Sequence, residues 1–90
     1  FIATLGHLGD GNLHLAVQLG NDTKARRTAV EKAIYRPLQE RGASISGEHG
    51  IGLEKKAYLQ ISRNETEIQV MHQLKQLFDP HCLLNCGKVI

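Results

Sequence analysis

The sequence predicts an α+β fold: a small antiparallel sheet with helices packed on one face. Three observations lead there. Two short apolar segments near the start flank an Asp10-Gly11 pair, a strong hairpin signal. A long stretch with apolar residues at helical spacing follows, and a second such stretch lies near the end. Hydrophobic residues make up 41% of the chain and charged residues 22%, an ordinary globular composition rather than a disordered one.

The elements follow in order. The first strand is Ile2 to His7 and the second Leu13 to Gln18. With Asp10-Gly11 as a two-residue turn, His7 faces His14 and Leu8 faces Leu13. Leu5, Ala3 and Ala16 then share the histidines' face, while Leu8, Leu13, Leu15 and Val17 pack the core. Gly20-Asn21-Asp22 closes the hairpin and caps a helix. Val30, Ala33, Ile34 and Leu38 mark that helix's apolar face, and Pro37 predicts a kink or break near Arg36. Gly42 suits a left-handed cap. Ala43 to Ser46 reads as a third strand, and 47–52 as a glycine-rich turn. Leu53 to Ile61 holds a short helix. Asn64 with Glu67 forms a capping box for a last helix, with Ile68, Met71, Leu74 and Phe78 on one face. Pro80 stops it. The tail from His81 is a loop ending in extended Lys88-Val89-Ile90.

The 90 residues suit one small domain. Three short strands provide little core for this much helix, so further strands or a partner are expected. The first residue is Phe1, not Met, so the chain is read as part of a longer polypeptide. No apolar run of about 18 residues exists to cross a membrane, and no secretory signal is visible. Eleven Lys+Arg against nine Asp+Glu give a net charge of +2. So balanced a charge, with 4% aromatics and no Trp, argues against nucleic-acid binding. Cys82 and Cys86 make no disulfide framework and read as plain buried thiols, which favours a reducing, cytoplasmic compartment.

Five histidines are present, and the placement of two carries chemistry. Cross-strand neighbours on one face of a hairpin bring His7 and His14 together, and two imidazoles so placed can bind one metal ion. Most arbitrary histidine pairs are unrelated side chains; the shared face lowers that alternative here. Glu48-His49 sits between Gly47 and Gly50. Glu48 can add a carboxylate to the two imidazoles, a set that leaves coordination positions open, as catalytic metals require. His49 then lies beside the ion without binding it, and a neutral imidazole there can act as a general base. Glu-His in isolation is more often an exposed turn. His72 and His81 read as surface or capping residues, and no phosphate loop is present, because 47–52 lacks the Gly-Lys-Ser/Thr ending.

Three motifs together resemble one family. Gly6-His7-Leu8-Gly9-Asp10-Gly11-Asn12-Leu13-His14 is similar to a G-H-x-G-D-G-N-x-H element. Ser46-Gly47-Glu48-His49-Gly50-Ile51-Gly52 is similar to S-x-E-H-G-x-G. Phe78-Asp79-Pro80 followed by Leu84-Asn85-Cys86-Gly87-Lys88-Val89 is similar to F-D-P…L-N-P-G-K-V. These resemble the FAD-linked oxidases of the vanillyl-alcohol-oxidase type, in the branch of D-lactate dehydrogenases, the glycolate oxidase FAD subunit and D-2-hydroxyglutarate dehydrogenase. The motifs span nearly the whole chain in matching order.

The resemblance implies that residues 1–90 are the C-terminal part of a ferredoxin-like cap domain, with the FAD-binding domain outside this chain. It implies that His7, His14 and Glu48 hold a divalent metal, zinc or manganese, that His49 is the base, and that Asn85 approaches the flavin. The substrate would be a 2-hydroxy acid, oxidised to the 2-oxo acid with hydride passing to FAD. The chain alone is then expected to be inactive. Cys86 stands where the motif has proline, and Ala16 where D-2-hydroxyglutarate dehydrogenases carry asparagine. The alternatives are a stand-alone metal-binding module, or a homodimerisation module pairing through an exposed sheet edge.

Overall fold

The computed structural model describes residues 1–90. The elements run β1 (Ile2–His7), β2 (Asn12–Val17), α1 (Lys24–Glu40), one 3-10 turn (Lys56–Tyr58), α2 (Leu59–Ser62) and α3 (Glu65–Phe78). β1 and β2 form a two-stranded antiparallel sheet, so the architecture is α+β as expected. The chain divides into two compact units, Phe1–Ile34 and Tyr35–Ile90, with the boundary inside α1.

In the first unit the hairpin forms with a register two residues from the expected one. His7 faces Asn12 and Leu5 faces His14, so Leu8 to Gly11 make the connection. A two-residue type I′ turn needs positive φ at both central residues. Gly11 supplies one at +70°, but Asp10 does not adopt that conformation. Instead the Asp10 carboxylate accepts the Asn12 amide at 3.0 Å. The Gly11 amide donates to the His7 carbonyl at 3.0 Å. A shift by an even number leaves every side chain on its own face, so His7 and His14 still share one. Gly6 is dictated by closeness, because a Cβ there would lie 2.5 Å from the Asn12 carbonyl oxygen. The opposite face does not make the expected core. Leu8, Leu13 and Leu15 are exposed and only Val17 is half-buried. Two strands alone bury too little surface to build one.

α1 starts one residue later than the Gly20–Asp22 cap predicted. Thr23 caps it, its Oγ1 accepting the Arg26 amide at 3.3 Å, while Asp22 pairs with Arg27 at 2.6 Å. Val30, Ile34 and Leu38 are half-buried, whereas Ala33 is exposed. The helix does not break at Arg36 but runs through Pro37 to Glu40. Pro37 lies in the last turn, where it costs the helix the single bond to the Ala33 carbonyl without ending it before Glu40. The C-terminus closes as a Schellman motif. With Gly42 at φ +59°, its amide donates to Gln39 O, and the Ala43 amide donates to Leu38 O.

In the second unit the expected strand at Ala43–Ser46 is absent. Serine hydroxyls take up its backbone groups in place of a neighbouring strand. Ser62 Oγ accepts the Ile45 amide at 2.8 Å and donates to the Ala43 carbonyl. Ser44 Oγ accepts the Ser46 amide and donates to the Ser46 carbonyl. Side-chain bonds of this kind compete with sheet pairing. Ile45 and Leu59 are the buried apolar residues of the core, and Tyr35 stacks on Tyr58 with centroids 5.0 Å apart. The capping box at α3 forms as expected. Asn64 Oδ1 accepts the Glu67 amide at 2.9 Å, and Glu67 Oε2 accepts the Asn64 amide at 2.7 Å. Of the expected apolar face, Ile68 and Met71 are half-buried, while Leu74 and Phe78 are exposed.

The tail departs from the sequence reading twice. Cys82 and Cys86 are not buried thiols but an exposed disulfide with Cα atoms 5.3 Å apart, so the thiol argument for a reducing compartment loses its basis. Lys88–Ile90 is not extended. Val89 has φ +70°, the Ile90 amide turns back to Lys88 O, and the Val89 amide reaches Gly52 O at 2.9 Å. No helix is long and apolar enough to cross a membrane.

Candidate metal centre

His7 ends β1 and His14 lies within β2, two residues along from Asn12, which faces His7. Diagonal neighbours on one face of a sheet are within reach of ring side chains. The imidazole centroids are 5.8 Å apart, with the rings inclined at 70°. His7 is exposed and His14 half-buried. Ala3, Leu5 and Ala16 lie on the same face and give the pair an apolar floor. Two imidazoles held this way match the donor chemistry of a borderline-soft divalent ion, which takes each nitrogen at about 2.0–2.1 Å.

Glu48 and His49 lie in the irregular segment after the buried Ile45, and both are exposed. Ser46 Oγ donates to the Gly50 carbonyl at 2.9 Å across them. Glu48 presents a carboxylate, a hard oxygen donor, and His49 an imidazole on this one short loop. His72 and His81 are exposed, as expected of surface or capping residues.

The tail loop is organised by Asp79, a residue whose role sequence reasoning missed. Its carboxylate accepts the Leu83 amide at 2.8 Å and the Leu84 amide at 2.9 Å, and it pairs with the Lys75 ammonium. Lys75 also donates to the Leu84 carbonyl. The signal was available: an acid at the C-terminus of a helix, four residues after a lysine. The Lys75 hydrogen bond, then the Leu84 and Leu83 amides, outweigh burial and lower the Asp79 pKa from 3.8 to about 2. A carboxylate with a lowered pKa stabilises the fold fully above its ordinary value, and that contribution is lost as pH falls toward about 2. Asp79→Asn should therefore speed hydrogen exchange of the Leu83 and Leu84 amides at pH 7 in the full-length protein. Acid should give wild type the same loosening. Unchanged exchange in the variant would mean that the carboxylate does not hold the loop.

Asn85 is exposed, with φ +48° and Oδ1 accepting from Lys88 Nζ at 3.1 Å. Lys56 Nζ donates to Gly87 O at 2.9 Å and ties the tail to the 3-10 turn.

Comparison with known proteins decides the family. Residues 2–89 match the family described as "FAD linked oxidases, C-terminal domain". The chain belongs to that family. His7, His14, Glu48, His49 and Asn85 all fall inside the matched range. The chain is 44% identical to a D-2-hydroxyglutarate dehydrogenase of Xanthomonas citri pv. viticola, covering 98% of this chain and 20% of that protein. It is 41% identical to a glycolate oxidase subunit of Bacillus subtilis, covering 98% and 19%. It is 38% identical to a D-lactate dehydrogenase of Anaerostipes hadrus, again covering 98% and 19%. The chain thus spans about one fifth of the length of the curated relatives it matches. No solved structure matches it.

Proposed function

We propose that this FAD-linked oxidase chain is the C-terminal part of a cap domain, in a flavoprotein that oxidises a 2-hydroxy acid to the 2-oxo acid. The observation that carries the reading is the family match over residues 2–89. Relatives named for D-2-hydroxyglutarate, glycolate and D-lactate all point to one substrate class. The His7–His14 pair on one sheet face supports a metal in that chemistry.

In this reading His7 and His14 each supply a neutral imidazole nitrogen and Glu48 a carboxylate oxygen to zinc or manganese. Three protein donors leave open the positions that the carboxylate and hydroxyl of a 2-hydroxy acid require. A bound ion would supply Lewis acidity toward the hydroxyl, and bound FAD would supply the acceptor for hydride from C2. His49, next to Glu48 in the chain, takes the hydroxyl proton on an imidazole nitrogen. The exposed Asn85 carboxamide suits a hydrogen bond to the polar edge of the flavin ring, and the other flavin contacts belong to the FAD-binding domain.

The test is turnover of the full-length protein with a dye acceptor on a panel of 2-hydroxy acids, with and without a chelator. Activity on one of these acids, lost on chelation and restored by zinc or manganese, is the expected result. Activity unaffected by complete metal removal would contradict the metal role, and no activity on any 2-hydroxy acid would contradict the substrate class.

A further inference from the structure

We propose that Ser46 is a positioning residue that sets the loop presenting Glu48 and His49; this rests on the reading of those two side chains as metal ligand and base. Ile45 is only 4% exposed and anchors the chain immediately before the loop. Its amide is held by Ser62 Oγ at 2.8 Å. The next residue is fixed through its backbone, since Ser44 Oγ bonds both the amide and the carbonyl of Ser46. With its main chain held, Ser46 is left with a hydroxyl, and that hydroxyl donates to Gly50 O at 2.9 Å. The bond closes the loop from 46 to 50, with Glu48 at its centre and His49 beside it.

No sheet ladder fixes this segment. A loop without a ladder would otherwise sample several backbone states, and each would point the carboxylate and the imidazole differently. A half-buried serine bonded across the loop narrows those states without touching substrate or ion. Outer contacts that orient ligands typically change metal affinity or activity by about 10–100-fold. Loss of one neutral hydrogen bond belongs at the low end of that range.

The experiment uses the full-length flavoprotein carrying Ser46→Ala, Ser46→Thr or Ser46→Val, with Glu48→Ala and His49→Ala as references. Threonine keeps the hydroxyl, and valine has nearly its shape without it. Flavin absorbance reports folding, zinc retention against a competing chelator reports Glu48, and the pH–rate profile reports His49. Ser46→Ala and Ser46→Val should weaken zinc retention about tenfold and alter the pH–rate profile, with flavin content unchanged and Ser46→Thr close to wild type. If the alanine variant does not fold, the threonine–valine comparison decides. Wild-type zinc retention and pH profile in Ser46→Val, alongside zinc loss in Glu48→Ala, would overturn the role of Ser46 and leave the proposed function standing. Zinc retained by Glu48→Ala together with normal turnover in His49→Ala would overturn both.

Discussion

His49→Ala in the full-length flavoprotein should lower turnover by about 10²–10⁴-fold, the usual contribution of a positioned general base. Flavin and metal content should stay at wild-type levels. The separation follows from the proposed roles, Glu48 as ligand and its neighbour as proton acceptor, on two exposed side chains of one short loop. Removing the imidazole leaves the two histidines of the hairpin and the carboxylate untouched. The loss should therefore appear in turnover more than in substrate affinity. Turnover measured beside flavin absorbance and metal analysis checks this, and a variant that turns over like wild type would remove His49 from the reaction.

Replacing His7 or His14 should have a different signature. Either change to alanine would remove one of the three proposed donors. Metal affinity should fall more than about 100-fold, beyond the range typical of outer contacts alone, and activity should fall with it. Excess zinc or manganese should restore part of the activity, in contrast to His49→Ala. The two histidines are expected to act as a unit, so the double variant should be little worse than either single one. Metal content after dialysis, measured with turnover, checks the pairing. Full metal content in either single variant would show that the hairpin does not hold the ion.

Local patterns carried much of the fold from the sequence. The Asn64–Glu67 capping box and the Gly42 cap were readable because each depends on residues three to five apart that satisfy one another's backbone groups. The shared face of His7 and His14 was readable for a similar reason, since side-chain alternation survives a register shift of two. The register itself was not, because it turned on whether the Asp10 side chain or its backbone would complete the turn. The absent strand at 43–46 has a longer-range cause, since Ser62 lies 17 residues beyond Ile45 and its hydroxyl replaces a ladder partner. The role of Asp79 was overlooked because its carboxylate bonds forward into a loop of no regular pattern. The cysteine spacing gave no signal for pairing, yet the turns around residues 82–86 bring the two Cα atoms to 5.3 Å. Of the site, residue types and motif order pointed to the chemistry, and the serine bonds beneath Glu48 and His49 emerged only from the structure.

The most direct measurement is anomalous diffraction at the zinc edge from crystals of the zinc-loaded full-length flavoprotein. One ion is expected, bonded by a nitrogen of His7, a nitrogen of His14 and an oxygen of Glu48, at about 2.0–2.2 Å each, with at least one position open toward the flavin. An ion lacking any of these three ligands, or enclosed by four protein donors, would contradict the proposed centre.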